Sequence, residues 1–245
     1  MNYSQNPDDP PVPVAVAVRI KKTPENHQHK SVIPNPKKEE LTFVAPKEKF
    51  RFDHVLPESI SQEDVFSKVL LPFSPCIFDG YDLFVITYGG KGTGKSYTLF
   101  GPDPDPLRSE ADLGLLPRFL HHIFGKIKAP EFNEIQTAVK VSSCDVTHDD
   151  VSDLLSTGQR RKSLIGNRDV GIEPGTEIEC NDVQEVLRCY ESSMTVSRAK
   201  NVQNAVISHH FFKVIIEQRK GNLGIKSTVA FVDLAPSDSD NVQVG

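Results

Sequence analysis

Nowhere in its 245 residues does the chain hold an apolar run approaching the ~18 residues that a membrane-spanning helix needs. Its start, Met1 to Pro10, lacks the basic-then-apolar pattern of a secretory signal. Both absences argue against a membrane protein and predict a cytosolic one. Cysteine is scarce: Cys76, Cys144, Cys180 and Cys189 include no C-x-x-C pair, which favours reduced structural thiols over metal ligands or a disulfide framework. A basic excess is missing too. With 28 Lys and Arg against 33 Asp and Glu the net charge is −5, and no basic stripe is interleaved with aromatics, so the chain is not built mainly for nucleic acid. There is no internal repeat. What remains is a chain long enough to bury one sizeable core.

Against that background, Gly89-Gly90-Lys91-Gly92-Thr93-Gly94-Lys95-Ser96 fits the phosphate-binding pattern G-x-x-x-x-G-K-[ST]. Ahead of it, Leu83 to Tyr88 reads as a buried parallel strand. Glycines at 89, 90, 92 and 94 permit positive φ and close backbone approach, so successive N–H groups can converge on a β-phosphate at the next helix's N-terminus. Lys95 supplies a point charge, and Ser96 offers its hydroxyl to Mg²⁺. A glycine-rich turn with an incidental Lys-Ser is the alternative; the preceding strand and the following helix favour the phosphate reading. The second feature is Val229-Ala230-Phe231-Val232-Asp233, an apolar strand ending in a carboxylate, where a P-loop protein brings an Asp to Mg²⁺ or its water shell. An Asp that merely ends a strand is the plainer reading, and the P-loop weighs against it.

The Pro- and Asp-rich residues 1–11 predict a disordered tail ahead of one domain over 12–245. Val12 to Ile20, a near-continuous Val/Ala run, predicts a central strand. Leu41 to Ala45 and Phe50 to Phe52 predict short strands. Gln62 to Leu71 predicts a helix capped by Ser61. After the P-loop a helix must be brief, because Gly101-Pro102, Pro104 and Pro106 break it, and helical spacing resumes over Leu115 to Ile127. Ala138 to Val146 predicts a strand and Asn181 to Ser193 a helix. Phe211 to Glu217 and Ser227 to Val232 predict two strands joined by a turn at 219–222. Strands alternating with helices indicate an α/β sheet. His121-His122 and His209-His210 suggest metal ligation, but neighbouring residues on one element face different ways, which favours structural or solvated roles.

These residues, taken in order, resemble kinesin motor domains. The resemblance rests on Arg19-x-Lys21, Phe50-x-Phe52-Asp53-His54-Val55, Gln62 to Phe66, Asp79 to Asp82, Thr87 to Gly101, Gly114 to Arg118, Asp149 to Leu155, Ser208-His209 and Val232 to Ala235. It covers the chain from about Val12 to Asp238. It implies a P-loop NTPase of the kinesin motor fold, with a central mixed β-sheet flanked by helices. It also implies ATP or ADP with Mg²⁺ as cofactors, microtubules as partner, and a cytoplasmic, cytoskeletal location. Arg19, Lys21 and Tyr97 match positions that flank the adenine. Arg19-Ile20-Lys21-Lys22 departs from the family's R-x-R-P, and Lys cannot supply a planar guanidinium face. Lys91 adds a positive charge where the family usually has Thr. The resemblance further implies that the chain stops after the second switch, short of the main microtubule-binding helices, the neck linker and a central strand.

Both switches depart from the family pattern. Aligned on Ser208-His209, the first switch's N-x-x-S-S-R-S-H places Val202, Ala205, Val206 and Ile207 where Asn, two Ser and Arg belong. The second switch's D-L-A-G-S-E reads Asp233-Leu234-Ala235-Pro236-Ser237-Asp238, and proline has no N–H to offer the γ-phosphate. One donor aimed at developing transition-state charge is worth roughly 10²–10³ in rate. The expectation is therefore nucleotide binding with hydrolysis several orders of magnitude below an active kinesin. The pattern looks most like the Costal-type kinesin-like proteins of Hedgehog signalling, which relate to the kinesin-4 group and act as microtubule-associated scaffolds for signalling kinases and transcription factors. The alternatives are an active ATP-driven microtubule motor and a P-loop domain that no longer binds nucleotide.

Overall fold

The Val/Ala run near the start forms less strand than its composition predicts. In the computed structural model, which describes residues 14–22, 31–102, 109–147, 150–156, 175–204 and 207–238, only β1 (Ala17–Arg19) is extended and paired there. The expected tail of residues 1–11 lies outside the described residues. Contacts divide the chain into two units, Met1–Ile60 and Ser61–Gly245.

In the first unit, β2 (Val32–Asn35), β3 (Glu40–Phe43) and β4 (Lys49–Arg51) form a three-stranded antiparallel sheet. A separate parallel pair joins β1 to β5 (His54–Leu56), with Val18 opposite Val55. The predicted central strand over residues 12–20 is thus corrected to a three-residue strand with one neighbour. The cause is local. Val16 donates its N–H to the Asp53 carboxylate at 2.8 Å, and its carbonyl accepts from Asp53 and His54, so its backbone groups are taken just ahead of the ladder. Val14 and Val16 are 78% and 46% exposed.

The second unit opens with Ser61, whose hydroxyl accepts the Asp64 N–H at 3.0 Å and caps α1 (Gln62–Val65). The predicted helix runs on only as a wider turn over Phe66–Leu70, because Pro72 cannot donate to the ladder. There follow α2 (Ser74–Phe78), β6 (Leu83–Thr87), α3 (Lys95–Phe100) and α4 (Leu115–Ile127), then β7 (Gln136–Val146), β8 (Val151–Asp153) and β9 (Ile178–Cys180). The chain continues through α5 (Val183–Asn204), β10 (His209–Lys220) and β11 (Leu223–Asp233). α5 outruns its predicted end at Ser193. The hydroxyls of Ser193 and Thr195 bond back to the carbonyls of Tyr190 and Glu191, so neither interrupts the helix.

Six strands form one mixed sheet in the order β6-β11-β10-β7-β8, with β9 also on β7. Only β6 and β11 run parallel, and the other pairs are antiparallel. The hairpin β10–β11 pairs continuously from His210↔Asp233 to Lys220↔Leu223 across a two-residue turn, where Gly221 takes φ +60°. Phe212 and Phe231 stand opposite each other on one face. Phe119 of α4 meets Phe231 at 5.6 Å between centroids, and Tyr190 of α5 meets Phe212 at 5.5 Å, so both helices cover that face. These three phenylalanines are fully buried, and truncating any one costs about 3–5 kcal/mol.

The expectation of a fully buried strand before the P-loop is also corrected. Among the described residues β6 ends the sheet, its alternate residues face opposite sides, and Phe84 and Ile86 are 62% and 57% exposed. What β6 does fix is register: Thr87 stands beside Asp233.

Candidate functional site

Because β6 and β11 are parallel and in register, the loops leaving them start side by side. The first is the glycine-rich run. Gly89, Gly92 and Gly94 take φ of +151°, +72° and +99°, whereas Gly90 does not use the left-handed region. Gly94 sits at the N-cap of α3 with no side-chain cap, which leaves the first N–H groups of that helix directed outward. Thr98 N–H and its hydroxyl both return to the Gly94 carbonyl at 2.9 Å, pinning the helix start. Thr93 closes the loop from inside, donating its hydroxyl to the Gly90 carbonyl at 3.0 Å.

Lys95 folds back over this loop. Its Nζ donates to the carbonyls of Gly89 and Gly90, each at 2.8 Å. An ammonium held on two carbonyl oxygens at the loop mouth is positioned for a stronger acceptor, and a phosphate oxygen is one. Lys91, by contrast, extends an exposed side chain. Ser96 donates its hydroxyl to Asp233 Oδ2, and Thr87 donates to Asp233 Oδ1 at 3.2 Å while also lying 3.3 Å from the Val232 carbonyl. The structure thus brings together the two residues expected at a metal, Ser96 and Asp233. Their hard oxygen donors suit Mg²⁺, which takes few protein ligands and completes its shell from phosphates and water. Among the described residues no group of three or more His, Cys, Asp or Glu converges, so a divalent ion would depend on those outside oxygens.

The second loop, Leu234 to Asp238, lies along the first. Leu234 N–H donates to the Thr87 carbonyl at 3.4 Å and Ser237 N–H to the Gly89 carbonyl at 3.1 Å. Asp238 Oδ1 accepts the Lys91 N–H at 3.0 Å. Pro236, between them, has no N–H to give.

The other expected residues are spread more widely. Arg19 ends β1 and Lys21 follows it, both in the first unit. Tyr97 lies on α3, 40% exposed, and its carbonyl accepts Gln62 Nε2 at 2.8 Å. Ala205 and Val206 lie outside the described residues. Ile207 is described and is 50% exposed. Neither histidine pair acts as one unit. His122 Nε2 lies 3.1 Å from Ser74 Oγ, His210 Nδ1 lies 3.1 Å from the fully buried Asp145, and His209 Nδ1 accepts the Ala235 N–H at 3.0 Å.

Sequence reasoning missed four of these contacts: Thr87 on Asp233, Gln62 on Tyr97, His209 on Ala235 and Asp238 on Lys91. All four involve residues of the resembling motifs, but the motifs do not say which residue meets which.

Outside comparisons agree with the geometry. The family model described as kinesin motor domain matches residues 15–243. The chromosome-associated kinesin KIF4 of Xenopus laevis is 30% identical over 246 residues, covering 94% of this chain and 20% of that protein. Human chromosome-associated kinesin KIF4B is 31% identical over 212 residues, covering 82% and 17%, and Drosophila melanogaster Klp61F is 27% identical over 209 residues, covering 78% and 19%. The chain therefore spans about a fifth of the length of the curated relatives it matches. A glycine-rich loop closed over by its own lysine, a serine at the start of the next helix meeting an aspartate at the end of β11, and a family match across nearly every residue lead to one assignment: the chain belongs to the kinesin motor domain family.

Proposed function

We propose that this chain binds ATP or ADP with Mg²⁺ at Gly89–Ser96 and Asp233, and turns ATP over far more slowly than a working motor. Kinesin motor domains as a family bind these nucleotides and microtubules. The observation that carries the reading here is the pairing of an assembled P-loop with a neighbouring loop that has proline at 236. Lys95 and the N–H groups at the start of α3 hold phosphates, and Ser96 with Asp233 holds the metal, which when bound would neutralise the phosphate oxygens. By the family resemblance alone, Arg19, Lys21 and Tyr97 match positions that flank the adenine. The residues that would sense a terminal phosphate are Ala205, Val206, Ile207 and Pro236, and none offers the hydroxyl, guanidinium or N–H of the family pattern.

On this reading the protein is a microtubule-associated signalling scaffold rather than a force generator, in the manner of Costal-type kinesin-like proteins with kinase and transcription-factor partners. The basic Lys91 within the P-loop and the degenerate switch positions support that narrower likeness. Kinship with kinesin motor domains supports a cytoplasmic, cytoskeletal location. No described helix is long and apolar enough to cross a membrane.

Two measurements test this. Saturating nucleotide at 100 times its dissociation constant should raise stability by about 2.7 kcal/mol, and a flat melting curve would mean that nucleotide binding is lost. ATP turnover with and without microtubules should be near absent in the native chain and rise on combining Ala205→Ser, Val206→Ser, Ile207→Arg and Pro236→Gly. Brisk native turnover on microtubules would make this an ordinary active motor.

A further inference from the structure

The contact between Asp238 and the P-loop is more than a grazing one. Oδ1 accepts the Lys91 N–H at 3.0 Å, and a Cβ built on Gly90 would lie 3.2 Å from Oδ2, so the carboxylate lies along the Gly90–Lys91 backbone with both oxygens close. One residue earlier, Ser237 N–H holds the Gly89 carbonyl. Two successive residues of one loop therefore engage three successive residues of the other. Ile207 stands where the family resemblance would put an arginine able to pair with this acid, and its alkyl side chain cannot do so.

The place occupied matters. Lys95 Nζ rests on the carbonyls of Gly89 and Gly90, the residues that Asp238 and Ser237 cover, and a P-loop lysine reaches the β- and γ-phosphates. The same chain segment begins at Asp233, on the metal side of the site. Asp238 thus holds a negative charge at the end of the loop where a terminal phosphoryl group would lie, away from the Gly94–Ser96 N–H groups that serve the β-phosphate.

We propose that Asp238 is a specificity-determining residue that makes this site favour a nucleoside diphosphate over a nucleoside triphosphate. The inference rests on the nucleotide-binding reading above. A diphosphate and a triphosphate make the same demands on Lys95 and on the start of α3. They differ by one phosphoryl group and about one negative charge, which meets the Asp238 carboxylate and must displace it from the Lys91 N–H. The nearby Lys95 attracts both nucleotides and does not remove the difference.

Calorimetric titration of the whole chain with Mg·ADP and with Mg·ATP tests this on the native protein, Asp238→Asn and, as a second uncharged replacement, Asp238→Ser. Melting curves without nucleotide establish that each variant folds. The expected result is native preference for ADP. Both variants should bind ATP about tenfold more tightly, with the ADP affinity changed by about twofold or less. Equal changes for the two nucleotides, or none, overturn the selectivity while leaving the nucleotide site intact. Failure of native and variant chains to bind either nucleotide removes the site itself, and this inference with it.

Discussion

The loops leaving β6 and β11 begin at paired residues, Thr87 and Asp233, yet they differ in what their backbones can do. The first has glycines at four of its positions, directs N–H groups at the mouth of α3 and places a lysine over them. The second gives its Ser237 and Asp238 contacts to the first, carries one carboxylate, and has at 236 a proline with no N–H to offer. On the proposed reading, holding a phosphate and responding to it are separate properties of adjacent loops on one sheet. A chain can keep the first while losing the second, because the two sets of donors sit on different segments.

Four experiments would break or sharpen this contrast. Phe231→Ala should act on both loops together, since that side chain lies within β11 beneath them, fully buried against Phe119. It should cost about 3–5 kcal/mol of stability in urea unfolding, and a loss under 1 kcal/mol would mean that the sheet does not depend on this contact. Lys95→Ala should act on the first loop alone. Two hydrogen bonds from an ammonium to phosphate are worth about 1.5–3 kcal/mol each, so nucleotide affinity should fall at least about 100-fold, with the melting temperature in the absence of nucleotide lowered only by what the two Lys95 bonds to the Gly89 and Gly90 carbonyls contribute. Pro236→Gly should act on the second loop alone, raising phosphate release about tenfold while leaving the ADP affinity unchanged. Unaltered release would place the defect wholly at residues 205–207.

The smallest effect belongs far from both loops and serves as the control. Lys140 on β7 bonds Glu217 on β10 at 2.7 Å, holding the carboxyl below its usual range and the ammonium above its own. A carboxylate with lowered pKa adds stability above its unfolded value and loses it as pH falls through the lowered one. The raised lysine adds stability below its unfolded value and loses it as pH rises through the raised one. Lys140→Met should therefore slightly flatten the dependence of the urea midpoint on pH at both the acid and the alkaline end, without altering nucleotide affinity. An unchanged slope at both ends would show the exposed pair to be energetically silent.

Much of this architecture was legible because its signals are local. The Ser61 cap, the Gly101-Pro102 stop after α3 and the spacing of Leu115–Ile127 each depend on a few adjacent residues and form where expected, and the turn expected over 219–222 narrows to Gly221-Asn222 as both strands run longer. Errors arose where a distant group decided the outcome. The Val12–Ile20 run has ample β propensity, but the Asp53 carboxylate some forty residues on captures Val16. Composition before the P-loop suggests cover on both faces of β6, whereas cover depends on what packs there. In the site, the P-loop expectation came from its spacing and that of Asp233 from an apolar strand ending in a carboxylate, and Ser96 and Asp233 do meet. The grip of Asp238 on Lys91 could not be read in this way, because it depends on the register of two strands nearly 150 residues apart in sequence.

The bond from Ala235 N–H to His209 Nδ1 has a consequence for timing. Accepting through Nδ1, the imidazole carries its proton on Nε2, and the start of β10 becomes tied to the loop beyond β11 across the hairpin. The Ala235 amide can exchange with solvent only when that tie opens. Its deuterium uptake would therefore clock the parting of the two segments, amide by amide, whether or not any ATP is consumed.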